Sequence, residues 1–349
     1  MKPIRIGTRP SALALWQANW TRDALLAHGR DAEIVKITTS GDIKRHEAIV
    51  NLGAQGVFTK EIQGALLADE IDVAVHSLKD LPTERTPGLK LAATPMRADA
   101  RDVFVSNKYA TLAELPPGAT LGTSSMRRKS MALRFCAKRR PNEAPWDVQN
   151  IRGNVETRLK KLDAGEYDAL ILAKAGLERL GLGDRATEVL EGPDFLPSVG
   201  QGALGLEVRE DDLETTEQIR KLLHEPTWLA ILAERAFLRK LQGGCLVPIG
   251  ALGMKIEFDD GTELLALDAQ ILSFDGTQSF QTQSFQILRA SAADRELPLE
   301  TKEELATLLG RNAAENLLEQ GAADVVAEIR KVRDERAARL APPDREKRE

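Results

Sequence analysis

Cysteine and histidine are scarce in this sequence of 349 residues. There are two cysteines, Cys136 and Cys245, and four histidines. A secreted scaffold held by disulfides would carry more cysteines, so both are interpreted as thiols in a reducing compartment, and the expected location is cytoplasmic. A zinc site needs three or four ligands close together, and these few scattered residues predict no metal site.

Long apolar runs and a basic excess are missing as well. No stretch approaches the roughly 18 apolar residues of a membrane span, and no secretory cleavage site follows the short apolar segment after Arg9. The 48 lysines and arginines face 53 acidic residues, a formal net charge of −5. We therefore expect neither a membrane nor a nucleic acid as partner, although a locally basic cleft is compatible with this balance.

Strand and helix patterns alternate through the first two thirds of the chain, which indicates α/β layers. One helix–Asp–strand pattern occurs at 65–75 and again at 161–171, as two similar lobes would produce. After about residue 215 the pattern changes. One long helical stretch is predicted over 217–241, with a break at Pro226 as the alternative. Two alternating strands joined by an Asp275-Gly276 turn follow, and then a helix over 303–330. This predicts a separate α+β domain.

Arginines recur beside turn residues at several predicted strand–helix junctions: Arg9, Arg127, Arg128, Arg152, Arg158 and Arg179. Free N–H groups at a helix start bind anions, and the arginine fork pairs with carboxylate or phosphate. The set suits an anion whose several charges are spread over some distance. Any one of these arginines alone is more typical of a surface loop. No Walker-type loop is present, and the pattern does not choose between carboxylate and phosphate.

Three further segments could carry chemistry. Asp80, after a predicted buried strand, could stabilise a developing cation or accept a proton, with Lys79 holding an anionic group and His76 either structural or catalytic. Cys245 lies in a glycine-rich loop that could expose a thiolate, whereas Cys136 lies within a helix and is expected to pack. The 200–202 segment, Gly-Gln-Gly, is expected to be a hinge returning to the first lobe.

Taken together, these segments resemble the porphobilinogen deaminase (hydroxymethylbilane synthase) family from about Ile4 to Glu328. Six motifs in the same order support the resemblance: Thr-Arg-Pro-Ser-Ala-Leu-Ala at 8–14, His-Ser-Leu-Lys-Asp-Leu-Pro at 76–82, Gly-Thr-Ser-Ser-Met-Arg-Arg at 122–128, Ile-Arg-Gly-Asn-Val-Glu-Thr-Arg-Leu at 151–159, Gly-Gln-Gly-Ala at 200–203 and the Gly-Gly-Cys loop at 243–245. The segment 139–146 has no clear counterpart in the family.

The resemblance implies an enzyme that joins four porphobilinogen units head to tail, releases ammonia at each step and yields the linear tetrapyrrole hydroxymethylbilane. It implies a covalent dipyrromethane cofactor, with Cys245 at the position of the thioether and Asp80 at that of the catalytic carboxylate. The residues that match cofactor-binding positions are Lys79, Ser125, Arg127 and Arg128; those that match substrate-binding positions are Arg9, Ser11, Gln17, Arg152, Arg158 and Arg179. Lys60 matches a cleft-covering segment.

The implied fold is α/β, with two lobes like those of periplasmic binding proteins around a cleft, plus a C-terminal α+β domain. The expected units are 1–99 with 200–216, then 100–199, then 217–333 carrying the cofactor cysteine, then a disordered tail at 334–349. The family implies a monomer whose product passes to later tetrapyrrole enzymes. Two alternatives stay open: a non-catalytic anion-binding protein, and a thiol acyltransferase using Cys245 with His76.

Overall fold

The first lobe is built around a five-stranded sheet. The computed structural model describes residues 2–38, 59–242 and 247–340. The first elements are β1 (Ile4–Thr8), α1 (Ala12–Ala27), β2 (Ala32–Lys36), α2 (Lys60–Leu67), β3 (Val73–Ser77) and β4 (Leu89–Ala93). Strands β2, β1 and β3 are parallel neighbours. Two apolar clusters, around Ile6 and Leu66, cover opposite faces of this sheet.

The second lobe repeats this plan. Its elements are β5 (Asp102–Val105), β6 (Thr120–Gly122), α3 (Met126–Arg139), β7 (Asp147–Gln149), α4 (Val155–Asp163), β8 (Ala169–Ala173), α5 (Lys174–Arg179) and β9 (Glu188–Leu190). The strand order is β7-β6-β8-β5-β9, with β5 antiparallel to both neighbours. The repeated helix–Asp–strand pattern of the sequence falls on α2–β3 and α4–β8, which occupy equivalent places in the two sheets.

Strand β10 (Leu204–Arg209) returns to the first sheet, whose order is β2-β1-β3-β10-β4. The two chain crossovers run side by side, since Ala98 N–H donates to the Gly202 carbonyl at 3.2 Å. Gly202 has φ +82°, and a Cβ there would lie 2.5 Å from the Ala98 carbonyl oxygen. Only glycine fits this close approach. The 200–202 segment is thus the expected return to the first lobe.

Helix α6 (Leu213–Arg220) follows β10 and packs on the first lobe, where its Ile219 joins the apolar cluster around Ile6. The third part of the chain contains α7 (Glu225–Lys240), β11 (Ile249–Glu257), β12 (Glu263–Leu272), β13 (Ser279–Arg289), α8 (Leu299–Leu317) and α9 (Ala323–Leu340). The three strands form an antiparallel sheet. The predicted helical stretch over 217–241 is two helices, α6 and α7, and the break comes just before Pro226, where the sequence allows one. Pro226 lies in the first turn of α7, where its missing N–H is tolerated, and His224 caps that helix.

The predicted helix over 303–330 is two helices. One turn at Leu318–Ala322 joins α8 to α9, and Gly321 there has φ +104°. The predicted disorder from residue 334 begins too early, because α9 continues to Leu340. The charged composition suggested disorder, but arginine, glutamate, alanine and leucine are also strong helix formers. Residues 341–349 lie outside the described part.

The expected fold class, two α/β lobes and an α+β domain, is confirmed. Arg97 of the first crossover donates to Glu234 of α7, whose carboxylate also accepts from the backbone N–H groups of Gly200 and Gly253 at 2.8 Å. One fully buried glutamate thereby ties the third part to both crossovers. Within 2–38, 59–242 and 247–340, no helix combines the length and apolar content needed to cross a bilayer.

Candidate active site

A first cavity, the lobe-1 cavity, opens where β1 and β3 end. Its polar lining comes from Arg9, Ser11, Gln17, Thr59, His76, Ser77 and Asp80. Ser11 caps α1 by accepting from Ala14 N–H at 3.4 Å, and the amide of Gln17 donates to Ser77 Oγ at 2.7 Å. The first turns of α1 and α2 both border the cavity. Backbone N–H groups and an arginine therefore surround one space beside the Asp80 carboxylate.

A second cavity, the junction cavity, lies where all three parts of the chain meet. Lys79 comes from the first lobe, Ser125 and Arg127 from the second, and Arg235 and Val247 from the third. Ser125 caps α3 just as Ser11 caps α1, accepting from Arg128 N–H at 3.4 Å. The two equivalent strand–helix junctions of the two lobes thus each supply a helix N-terminus to a cavity.

Lys79 and Asp80 lie on a short 3-10 turn, Leu78–Asp80, directly after β3. Leu78 N–H donates to the Ala203 carbonyl at 3.0 Å, and Leu78 and Leu81 pack with Ile231 of α7. After the turn, Arg235 donates to the carbonyls of Leu81 and Pro82, and Arg239 donates to that of Thr83. The turn is therefore held from both sides, while the Asp80 side chain stays exposed.

Arg127 and Arg128 share one buried carboxylate. Arg127 Nη1 lies 2.7 Å from Asp102 Oδ2, and Arg128 Nη2 lies 2.8 Å from Asp102 Oδ1. Asp102 is 0 % exposed, and the two arginines are 3 % and 6 % exposed. Burial alone would raise the pKa of Asp102, but the charges of both arginines hold it well below its usual range. Two guanidiniums on one carboxylate leave a net positive charge beside the junction cavity.

Gln201 connects this triad to the turn. Its amide nitrogen donates to Asp102 Oδ1 at 2.8 Å, and its amide oxygen accepts from Lys79 Nζ at 3.2 Å and Arg128 Nη2 at 3.3 Å. Burial, together with the charge of Arg128, lowers the pKa of Lys79 to about 8. The sequence marks Gln201 only as a residue between two hinge glycines, yet it fixes the cationic groups of both lobes relative to one another.

Three more predicted anion-binding arginines come from the second lobe. Burial, with the charge of Arg128, lowers the pKa of Arg158 to about 10, and the nearby charge of Asp80 opposes this shift. Arg179 is held by the Gly202 carbonyl at 2.6 Å, and burial lowers its pKa to about 10. Arg152 is exposed in the loop before α4. Arg158 and Asp80, from different lobes, are thus close enough for their charges to interact.

His76 belongs to a buried network beneath the lobe-1 cavity. Its Nε2 lies 3.1 Å from Glu207 Oε2, and Gln63 donates to both oxygens of Glu207 at 3.0–3.1 Å. Glu207 and His76 are each 4 % exposed. This arrangement supports the structural alternative for His76, because its Nε2 is committed to a carboxylate from β10.

The two cysteines differ in their surroundings. Cys136 is buried at 3 % exposure in the apolar core of the second lobe, as expected for a packing residue. Cys245 lies in 243–246, outside the described residues, and Val247, two residues after it, lines the junction cavity. Lys60 is exposed at the start of α2, beside the lobe-1 cavity residue Thr59. No group of three potential metal ligands occurs within the part of the chain that the structure describes.

Sequence reasoning missed Asp102, Glu207 and Glu234. Each is an acidic residue inside an apolar segment that is buried in the fold. A buried carboxylate needs a cationic or N–H partner. An acidic residue within an apolar strand or helix therefore predicts a buried polar contact at that position. The partners themselves lie far away in the sequence.

Family comparisons agree with the motif pattern. Residues 4–217 match the family described as "Porphobilinogen deaminase, dipyromethane cofactor binding domain", and residues 228–319 match "Porphobilinogen deaminase, C-terminal domain". The chain is 45 % identical to a porphobilinogen deaminase of Desulforudis audaxviator over 94 % of this chain and 98 % of the relative. It is 44 % identical to that of Chlorobium chlorochromatii over 95 % of this chain and 99 % of the relative.

Solved structures that match include an ABC transporter periplasmic substrate-binding protein of Coxiella burnetii, at 17 % identity and TM-score 0.39 over 66 % of this chain and 96 % of that one. Another is immunogenic lipoprotein A of Vibrio vulnificus, at 14 % identity and TM-score 0.41 over 63 % and 94 %. These similarities are too low to add to what the strand order shows. By the family match over nearly its whole length, the chain belongs to the porphobilinogen deaminase family.

Proposed function

We propose that this chain condenses four porphobilinogen molecules head to tail, releases ammonia at each step and forms hydroxymethylbilane on a covalently bound dipyrromethane. The observation that carries this proposal is the junction cavity. Lys79, Ser125 and Arg127 line it together with Val247, two residues after Cys245. Cationic groups in a cavity whose lining includes Val247, which follows Cys245 by two residues in the sequence, suit a small molecule that is both tethered and anionic.

The donor set of the junction cavity fits the cofactor. Dipyrromethane carries acetate and propionate groups, and the cavity offers the Lys79 amine, the α3 N-terminus at Ser125 and the Arg127 guanidinium. When bound, the cofactor supplies the pyrrole carbon to which porphobilinogen is joined. Lys79, Ser125, Arg127 and Arg128 would hold its carboxylates, and Cys245 would hold it covalently.

Substrate chemistry is assigned to the lobe-1 cavity. Arg9, Ser11 and Gln17 would bind the two carboxylates of porphobilinogen through the arginine fork, the α1 N-terminus and an amide. Loss of ammonia from the aminomethyl group leaves a positively charged fragment. Asp80 would stabilise that charge and take up the proton that is lost later, because it is an exposed carboxylate on a turn fixed from both sides.

The arginines of the second lobe suit a product that gains two carboxylates with every unit. Arg152, Arg158 and Arg179 would bind these side chains as the product grows. Arg158 and Arg179 are cations that burial has partly deprived of solvent, so a bound carboxylate would restore a strong interaction partner. The Arg127–Asp102–Arg128 triad adds a net positive charge whose position is fixed, because both arginines are held by the buried Asp102 carboxylate.

The organisation that supports this function consists of 1–99 with 200–216, then 100–199, then 217–333 with Cys245. The two adjacent crossovers support the division into two lobes, and the buried Arg97–Glu234 pair supports a third unit docked on both crossovers. We further propose a cytoplasmic monomer whose product is passed to later tetrapyrrole enzymes. The unpaired, buried Cys136 supports a reducing compartment.

The deciding experiment is the intact mass of the active protein. The wild-type chain should exceed its sequence mass by two linked pyrroles, and Cys245→Ser should lose both that excess and the activity. Cys136→Ser is the matched control and should keep both. Active wild-type protein with the bare mass would overturn the proposal. The thiol acyltransferase alternative instead requires that iodoacetamide alkylates Cys245 in active protein, which a thioether prevents.

A further inference from the structure

Trp16 is an exposed aromatic residue in contact with the other lobe. It lies on α1, directly before the cavity residue Gln17, and its side chain is 38 % exposed. Its ring faces the Arg179 guanidinium of α5, with Cζ 5.4 Å from the ring centroid. An indole usually needs burial to contribute to stability. One face of the Trp16 indole instead contacts a cation from the opposite lobe.

Arg179 has few other partners for its size. Among the described residues, Nη2 donates to the Gly202 carbonyl at 2.6 Å, while Nε is buried without a hydrogen-bond partner. Burial also lowers its pKa to about 10. The guanidinium is therefore held at Nη2 and at one face, and its Nε–H is unused within the described part of the chain.

We propose that Trp16 is a positioning residue for substrate. Its indole fixes the plane of the Arg179 guanidinium, so that the unused N–H edge is presented to a carboxylate without first losing side-chain freedom. A cation over an indole face is favourable in its own right, and a planar fork that is already oriented loses less entropy on pairing. This inference rests on the proposed function, in which Arg179 binds a substrate carboxylate.

Trp16 also belongs to the opposite lobe from Arg179. The contact places Arg179 of α5 against α1, the helix whose Ser11 and Gln17 line the lobe-1 cavity. Trp16 therefore sets how an arginine from one lobe meets a substrate held by the other. The hydrogen bond from Nη2 to the Gly202 carbonyl fixes only one end of the guanidinium, so the orientation of its plane depends on the contact with the indole.

A double-mutant cycle in the holoenzyme tests this. Trp16→Leu should raise the KM for porphobilinogen about two- to fivefold, the value of an exposed cation–π contact, with kcat little changed. Trp16→Tyr should restore most of the loss. In an Arg179→Gln background, Trp16→Leu should have no further effect on KM, because the partner is gone. Trp20→Leu, one turn further along α1, is the matched control.

Tryptophan emission gives a second readout. Porphobilinogen should change the emission of wild-type protein, and this change should be absent from Trp16→Tyr and from Arg179→Gln. If Arg179→Gln leaves KM unchanged, the role of Arg179 in the proposed function is wrong. If Arg179→Gln raises KM but the effects of the two substitutions simply add, Trp16 acts independently of Arg179 and the inference made here is overturned.

Discussion

Lys79 and Asp80 are consecutive residues on one rigid turn, and each lines a different cavity. Lys79 borders the junction cavity next to Ser125 and Arg127, whereas Asp80 borders the lobe-1 cavity next to Arg9 and Gln17. The turn therefore forms the boundary between the proposed cofactor site and the proposed substrate site. Substitutions at these two neighbours should consequently have different effects.

Replacing Asp80 with asparagine should nearly abolish turnover. The amide keeps the size and polarity of the side chain but removes the negative charge, and such changes at an acid–base group cost about 10²–10⁴ in rate. The measurement is porphobilinogen consumption together with intact mass. The mass should still include the dipyrromethane, because Asp80 lies outside the junction cavity. Near-normal turnover in this variant would reject the assignment.

Lys79 should make the stability of the cofactor-free protein depend on pH. The folded protein holds the pKa of Lys79 at about 8, whereas an unfolded lysine keeps its ordinary value of 10.5. Between these values the unfolded chain binds more protons, so the free energy of unfolding should rise as pH increases from 8 toward 10.5. Urea unfolding of Cys245→Ser protein at several pH values measures this.

The control for that experiment is the double variant Cys245→Ser with Lys79→Met. It lacks the titrating amine and should lose the part of the pH dependence that Lys79 causes. Equal slopes in the two proteins would show that Lys79 titrates normally, and the arginines beside it would then not act on its charge.

Asp102 should be essential for stability. Asp102→Ala leaves Arg127 and Arg128 buried without their shared carboxylate, and an uncompensated buried charge of this kind costs about 3–5 kcal/mol. Asp163→Ala is the matched control. Asp163 pairs with Arg185 at 2.6 Å on the surface, where an ion pair contributes about 0–1 kcal/mol. Denaturant unfolding of both variants makes the comparison, and similar losses would refute the importance of the triad.

Much of the fold is predictable from local pattern. Alternating elements and the repeated segment at 65–75 and 161–171 indicate two similar lobes, since both periodicity and repetition are local properties. The position of the helix break near Pro226 is harder to predict from local pattern. A proline is compatible with both a helix interruption and a helix start, and the choice depends on the cap that His224 provides.

The sequence identifies candidate site residues where the reactive groups lie in one short motif, as at Lys79 and Asp80. It does not identify which residues these groups contact in the fold. In the sequence, Arg127 and Arg128 resemble anion-binding groups, but in the structure they share Asp102. Asp102 lies 25 residues or more away in the chain and comes close to them because β5 and β6 belong to one sheet. Glu207 and His76 likewise meet because β3 and β10 are neighbours, although more than a hundred residues separate them.

The crossover at Gly202 should tolerate no side chain. Gly202 and Gly165 both have positive φ, +82° and +78°, so alanine is strained at either position. The two positions differ in the space around an added Cβ. At Gly202 it would lie 2.5 Å from the Ala98 carbonyl oxygen, whereas at Gly165 it would meet no atom beyond its chain neighbours within 4 Å. Gly165→Ala should therefore lose about 1 kcal/mol of unfolding free energy.

Gly202→Ala should lose distinctly more, because backbone of the neighbouring crossover must move. Such movement would also displace the Gly202 carbonyl that holds Arg179, so the KM for porphobilinogen should rise in this variant and stay unchanged in Gly165→Ala. Denaturant unfolding and steady-state kinetics on the same two proteins separate these effects. If both glycines respond alike, the close packing of the crossovers contributes nothing beyond the local cost of positive φ, and the position of Arg179 is independent of it.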